Sequence, residues 1–329
     1  MQADHWIQAF PDITVAVIGD FCVDVYLVLD DTLSEISLET GLGTRSVREC
    51  RIEPGGAANV AKNLAVLGVG RVLVFGLIGP DLFGRELGRQ LTALGIDTAG
   101  LIIQDTTWST NTFMKPYRAL CEEPRMDFGN FNRPDRTATG EILRRFAATL
   151  PTCQAVIINQ QLLAGISVPW FREAVAALIP RHPGLPFLVD SRAYSAEFAG
   201  ALRKLNLHEA AAVLGWEPPS ATADDDYVRK VADSLAQRWG RPFFLTRGER
   251  GLAVHGPHGL ELIPGIHTCG PVDPVGAGDA LIAGTAACLG AGADPYAAAH
   301  FGNGCAAVTV RQRFTTGAPY PGEACQTTD

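Results

Sequence analysis

The run Asp273-Pro-Val-Gly-Ala-Gly-Asp279 places two glycines, a small residue and a terminal carboxylate just ahead of the apolar segment Ala280-Leu-Ile-Ala-Gly. Gly276 and Gly278 let the backbone turn tightly and come close to a ligand. Leu281, Ile282, Thr285 and Leu289 recur at helical spacing, which predicts a helix whose N-terminus presents the amides of Gly276, Ala277 and Gly278. Such amides form an anion site. A carboxylate beside an anion site is useful when it handles a proton. Asp279 would accept a hydroxyl proton while the amides stabilise charge on a transferring group, the chemistry of phosphoryl transfer to an alcohol. Spacing alone fits equally well an acid that sits at a helix start because the dipole favours it there.

A second segment, Pro54-Gly-Gly-Ala-Ala-Asn-Val-Ala, sets paired glycines before another helix. Gly55 and Gly56 allow a ligand to lie against the main chain, and Asn59 offers a donor and an acceptor suited to sugar hydroxyls. The alternative is a glycine-rich turn whose Asn satisfies local backbone groups.

These segments need a scaffold, and the remaining sequence describes one. Short apolar runs at Val15–Gly19, Val72–Phe75, Ala155–Ile158, Phe187–Asp190, Ala212–Leu214, Phe243–Thr246 and Leu252–His255 predict strands covered on both faces. Amphipathic helices are predicted over Ala57–Leu67, Arg85–Leu94 and Asp225–Trp239, each followed by glycine. This alternation predicts an α/β layered fold with a mostly parallel central sheet. Residues of about 24–54 and 106–132 break the rhythm and predict a small antiparallel sheet, a lid on a single domain spanning 1–329.

Composition narrows the function classes. The 329 residues are 47% hydrophobic with a net charge of −8, which excludes a mainly disordered chain and argues against nucleic acid or an anionic membrane as partner. Eight scattered cysteines without a C-x-x-C pair read as buried small hydrophobes of a reducing compartment. Met1–Phe10 lacks the features of a signal peptide and Ala280–Ala293 is too short to span a bilayer, so a cytoplasmic location is expected.

Read together, the segments resemble the ribokinase-like (PfkB) family of sugar and nucleoside kinases, over nearly the whole chain and in the right order. Val17-Ile-Gly-Asp-Phe-Cys-Val-Asp24 is similar to the family's opening strand, with Asp24 as its sugar-contacting aspartate. Gly55, Gly56 and Asn59 match its first signature, which wraps the acceptor. Gly79-Pro-Asp-Leu-Phe-Gly84 with Leu94-Gly-Ile-Asp97 matches the stretch that follows. Asn206-Leu-His-Glu209 matches N-x-x-E, associated with Mg²⁺ and phosphate, and Thr246-Arg-Gly-Glu-Arg-Gly251 matches the segment beside the nucleotide phosphates, with Gly248 between. The 273–279 run matches the second signature. The resemblance thus implies a three-layer fold with a small β-sheet lid, Asp279 as base, Gly276–Gly278 as anion hole and Asn303 against adenine. It also implies ATP as donor, Mg²⁺ bound indirectly through Glu209, and a monovalent cation such as K⁺ at Asp273 and the Thr315–Gly317 turn. No Walker A segment occurs, which excludes a P-loop kinase.

Within the family, Gly19-Asp20, Asp24-Val-Tyr26, Ile36-Ser37-Leu-Glu39 and Arg125-Met-Asp-Phe128 resemble heptose-phosphate kinases. The sequence departs from them at Asn159-Gln-Gln, where an Asp-Tyr pair is expected, and in lacking Pro-Val-Pro after Glu39. The acceptor is therefore expected to be a sugar or sugar phosphate of unspecified kind, with a nucleoside kinase and a non-catalytic ligand-binding homologue as alternatives. Arg45, Arg48, Arg51, Lys115 and Arg118 are either phosphate ligands or solvated edge-strand charges. Asp20 is either a substrate contact or a turn acid. His255, His258 and His267 with Cys269 are too loosely spaced for a zinc site. Open lid edges imply a homodimer paired through the lid.

Overall fold

The uncharged runs Val15–Ile18 and Ala155–Ile158 are buried on both faces, as central strands of a covered sheet must be. The computed structural model describes residues 2–326 except 120, 221–223, 269, 271, 313–314 and 316. The chain opens with α1 (Gln2–Ala9) and β1 (Thr14–Gly19), and then β2 (Phe21–Leu29) and β3 (Val47–Gly56) leave for a second sheet. Helix α2 (Ala57–Val66), β4 (Arg71–Ile78), α3 (Leu82–Ala93) and β5 (Asp97–Ile103) return to the main layers. Strands β6 (Asn111–Arg118), β7 (Cys121–Glu122) and β8 (Met126–Phe128) complete the second sheet. Next come α4 (Arg136–Thr149), β9 (Ala155–Gln160), α5 (Pro169–Ala176), β10 (Phe187–Ser191), β11 (Leu202–Asn206) and α6 (Leu207–Leu214). The chain then forms α7 (Asp225–Trp239), β12 (Phe243–Thr246), β13 (Leu252–Gly256), β14 (Gly259–Ile263), α8 (Ala277–Gly290), α9 (Pro295–Thr309) and α10 (Pro321–Gln326).

The main sheet has the order β14-β13-β12-β11-β10-β9-β1-β4-β5, parallel from β5 to β12 and antiparallel at β13 and β14. One face packs on α2, α8 and α9, and the other on α4 and α5. After β1 the chain winds first toward β4 and later toward β9, so the order reverses at the β1–β9 pair. Ligands of doubly wound sheets bind in the crevice at such a reversal, beyond the carboxyl ends of the strands.

Two expectations need correction. The second sheet, ordered β3-β2-β6-β7 with β8 also on β6, is mixed rather than antiparallel, because β2 and β6 pair in parallel. Both strands set out from the carboxyl edge of the main sheet, β2 from β1 and β6 from β5, and so run the same way. Residues 212–214, expected as a strand, form the last turn of α6. That helix starts at a reciprocal capping box between Asn206 and Glu209 and stops at left-handed Gly215. The strand falls earlier, in β11, whose Arg203 and Lys204 interrupt the apolar pattern. Arg203 is buried, donating to the carbonyls of Ser195, Phe198 and Ala201 and lying 4.4 Å from the Trp239 ring centroid.

Candidate active site

Gly56, at φ 54° and ψ −129°, turns the chain from β3 into α2. A Cβ there would lie 2.7 Å from the Asp20 carbonyl oxygen, so the turn needs glycine for space as well as for its backbone angles. Asn59 consequently falls in the first turn of α2 and is fully buried. Its Nδ2 donates to Asp279 Oδ2 at 2.8 Å, joining the two glycine-rich segments across 220 residues. Asp279 is in the first turn of α8, which starts at left-handed Gly276 (φ 82°) and has no side-chain cap. The N-terminus of α8 therefore faces the same space as the carboxylate. The Ala277 amide donates back to Pro274 O at 3.2 Å, so within the expected trio 276–278 that amide is already engaged in this conformation. Burial pushes the Asp279 carboxyl up to about 7, with Asn59 pulling down and the negative charge of Asp190 pushing up.

Asp24 lines the same space from β2. A Cβ on Gly55 would lie 3.0 Å from Asp24 Oδ2 and 2.9 Å from Cys22 Sγ, so the glycine pair and Asp24 share one wall. Lys115 on β6 pairs with Asp24 at 2.8 Å, and both are buried. Burial raises the Asp24 carboxyl and Lys115 opposes that rise. Lys115 is thus the counter-ion of Asp24. The four arginines suspected of holding phosphate are spent on surface pairs: Arg45 on Glu123, Arg48 on Asp30, Arg51 on Glu49, and Arg118 on Glu123 and Asp31.

Two further residues at this crevice escaped the sequence reading. Asp190 and Lys204 are register partners on β10 and β11, and Lys204 Nζ lies 3.0 and 3.1 Å from the Asp190 carboxylate oxygens. A Cβ on Gly278 would lie 3.0 Å from Lys204 Nζ, which puts a largely buried ammonium directly beside the α8 N-terminus. Burial would lower its proton affinity, but Asp190 and Glu209 hold it raised. The available signal was a lysine two residues before N-x-x-E, in a strand that otherwise packs into the core.

The expected nucleotide-side residues follow along the same edge. Asn206 Oδ1 accepts from the Glu209 amide and Glu209 Oε2 from the Asn206 amide, each at 2.9 Å, so both side chains shape the start of α6. Burial raises Glu209 while Lys204 lowers it. Thr246 ends β12, and left-handed Gly248 (φ 62°) opens the turn after it. Gly251 lies so close to β14 that a Cβ would meet Ile263 O at 2.4 Å. Asn303 Nδ2 donates to Pro264 O at 3.0 Å, tying α9 to the same segment. Asp20 is the turn acid, accepting from the amides of Gln161, Leu162 and Ile166.

The oxygen-only set of Asp190 and Glu209 beside Lys204 and the helix N-terminus suits Mg²⁺ that arrives with phosphate oxygens. Among the described residues no three His, Cys, Asp or Glu side chains cluster to hold a metal by themselves. Asp273 Oδ1 accepts from the Val275 amide at 3.0 Å. Within the turn expected to share a monovalent cation with it, residue 316 lies outside the described residues. His255 stacks on Phe243 at 5.1 Å between ring centroids, and Cys269 also lies outside the described residues.

The model of the pfkB family carbohydrate kinases matches residues 12–116 and 200–321. The bifunctional protein HldE of Mesorhizobium japonicum is 32% identical over 317 residues, covering 94% of this chain and 61% of the relative. The HldE of Shewanella amazonensis is 31% identical over 313 residues, covering 94% and 62%. The chain therefore spans about three fifths of the length of these curated relatives. Phosphofructokinase-2 from Escherichia coli in complex with potassium superposes with TM-score 0.76 at 17% identity, over 96% of this chain and 98% of that one. Arabidopsis thaliana ribokinase complexed with ribose and ATP gives 0.74 at 17%, over 96% and 99%. The fold is therefore ribokinase-like.

Proposed function

The chain belongs to the pfkB family of carbohydrate kinases, and from that premise we propose that it transfers the γ-phosphoryl group of ATP to a hydroxyl of a sugar or sugar phosphate. The observation that carries this reading is the 2.8 Å bond from Asn59 to Asp279 at an uncapped helix N-terminus. It supports the reading because it brings the Gly55-Gly56 wall, a carboxylate and a helix N-terminus together.

In this reading Asp24, Gly55, Gly56 and Asn59 orient the acceptor against Asp279. The hydroxyl oxygen forms a bond to the γ-phosphorus as the bond to the bridging oxygen of ADP breaks. The hydroxyl proton passes to Asp279, whose raised affinity suits a base working near neutrality. Charge on the phosphoryl oxygens is met by the Gly276 and Gly278 amides, the Ala277 amide being turned to Pro274 O, and by Lys204. Asn206, Glu209, Thr246, Gly248, Gly251 and Asn303 flank the nucleotide. Mg²⁺, when bound, would supply counter-charge to the phosphates, and Glu209 and Asp190 are the carboxylates that would hold it. Asp273 is the side chain assigned to a monovalent cation.

The test is release of ADP by the purified chain with ATP and a panel of free sugars, sugar phosphates, adenosine and inosine. Turnover on a sugar or sugar phosphate is expected. Turnover on nucleosides alone would make the chain a nucleoside kinase, and binding without turnover anywhere would make it a non-catalytic homologue. No described helix is long and apolar enough to cross a membrane, and the reading includes a cytoplasmic location.

The second sheet is also proposed as a dimer interface. Its strand β3 is exposed along the outer half, and the preceding excursion of 31–46 presents Ile36, Leu38 and Leu42 to solvent. An unpaired strand edge next to exposed apolar side chains favours pairing with a second copy. Light scattering at micromolar concentration is expected to give twice the mass of the 35.1 kDa chain, and Leu38→Asp to lower it. A monomer mass for the unaltered chain overturns this.

A further inference from the structure

The hydrogen bonds beneath Asp279 continue one helical turn beyond what the proposed reaction requires. Asn63 is fully buried on α2, four residues after Asn59. Its Nδ2 donates to Asn59 O at 2.8 Å, to Asn59 Oδ1 at 3.1 Å and to Gly317 O at 3.3 Å. Its own Oδ1 has no donor among the described residues. Leaving a buried carbonyl unpaired costs stability, so the fold spends the amide of Asn63 on its donor side.

That choice has a consequence for Asn59. A side-chain amide presents oxygen on one side and nitrogen on the other. With Oδ1 occupied by Asn63, Nδ2 is the group that meets Asp279 Oδ2. A reversed Asn59 would set a carbonyl oxygen against the carboxylate, which repels the ionised form. We infer that Asn63 is a positioning residue that fixes the amide orientation of Asn59 and so keeps a donor on Asp279, with the Gly317 carbonyl anchoring Asn63 in turn. The anchor is itself fixed. Gly317 is left-handed (φ 43°) with no room for a Cβ beside Thr309, and Gln312 Oε1 accepts from the Ala318 amide at 3.2 Å. Gly317, beyond α9, is thereby coupled to the proton acceptor, although Asn63 touches no reacting atom.

The inference makes a specific statement about proton affinity at Asp279. The charged groups acting on that carboxyl are Asp190 from β10, Lys204 from β11 and Asp24 from β2, with the Cys22 thiol also nearby, and Asn59 supplies the hydrogen bond that lowers it. Loss of Asn63 frees Asn59 to turn, weakens that bond and raises the affinity.

The experiment titrates the Asp279 carboxyl carbon by ¹³C NMR on the full chain, with Asp279→Asn identifying the signal. Asn63→Leu keeps the size of the side chain and removes the donor. Its proton affinity is expected to rise about three- to tenfold, the worth of one hydrogen bond. Asn59→Ala is expected to shift at least as far, and Asn59→Ala/Asn63→Leu to match Asn59→Ala alone. Should Asn63→Leu fail to fold, Asn63→Ala serves instead, since it removes the donor without adding a charge near Asp279 and is expected to give the same rise. A wild-type midpoint in the Asn63 variant, with only the melting temperature lowered, overturns the inference, as does a further shift in the double variant. The titration needs no turnover, so absence of kinase activity would overturn the proposed function and leave this result standing.

Discussion

Asp279→Asn is expected to lower kcat roughly 10²–10⁴-fold while the affinity for ATP changes little, because the amide keeps the shape but takes no proton. The pH dependence gives a second reading of the same carboxyl. With its affinity raised to about 7, the wild-type kcat/KM should climb with pH through about 7 and level off above it. Stability follows the opposite trend. A folded carboxyl that binds its proton more tightly than in the unfolded chain loses stability as pH rises from the ordinary carboxylate range to about 7. Asp279→Asn escapes that loss, so its melting temperature should exceed that of wild type at pH 8, and the gain should shrink on acidification. A variant that turns over at the wild-type rate rejects the proton role, and a melting temperature below wild type at pH 8 rejects the cost of the buried charge.

Lys204→Met is expected to cost both stability and rate. It leaves Asp190 buried with no counter-ion, which destabilises by about 3–5 kcal/mol in comparable cases and lowers the melting temperature by on the order of 10 °C. Adding Asp190→Asn removes the stranded charge and should restore most of that stability. If Lys204 also meets charge on the transferring group, the double variant remains slower by roughly 10²–10³-fold. Thermal melts and steady-state rates on the three proteins separate the two effects. A double variant that recovers full rate makes Lys204 only a partner of Asp190.

The two glycine-rich segments were readable from sequence because local chemistry announces them: glycines where the chain must turn, then a helix, with a carboxylate or amide in its first turn. Strands such as Phe243–Thr246 were legible for a related reason, since burial on both faces leaves an uninterrupted apolar run. Lys204 and Asp190 were hidden by that same rule. A charged side chain in a strand reads as exposure, and only the neighbouring strand supplies the partner that makes burial tolerable. Strand β5 was missed because its Asp, Thr, Ala and Gly carry little apolar pattern at a sheet edge. The parallel pairing of β2 with β6 could not be read from either strand, because it depends on where the chain leaves the main sheet. Nothing in the sequence sets Asn63 apart from other polar residues on a helix. Its use became visible only when Gly317, 254 residues away, was placed beside it.

One residue separates β1 from β2, and that residue, Asp20, is clamped by three backbone amides. The small sheet is therefore cantilevered from β1, an interior strand of the large one, without a slack connector at that joint. Nine residues of strand reach about 30 Å, so each 10° of flexure at the clamp carries the free end by roughly 5 Å. A modest change in the bend at this root would suffice to open or shut the crevice. A bulkier neighbour at Gly165, where a Cβ would press on the Asp20 carboxylate at 2.1 Å, would act on that stroke from outside the crevice.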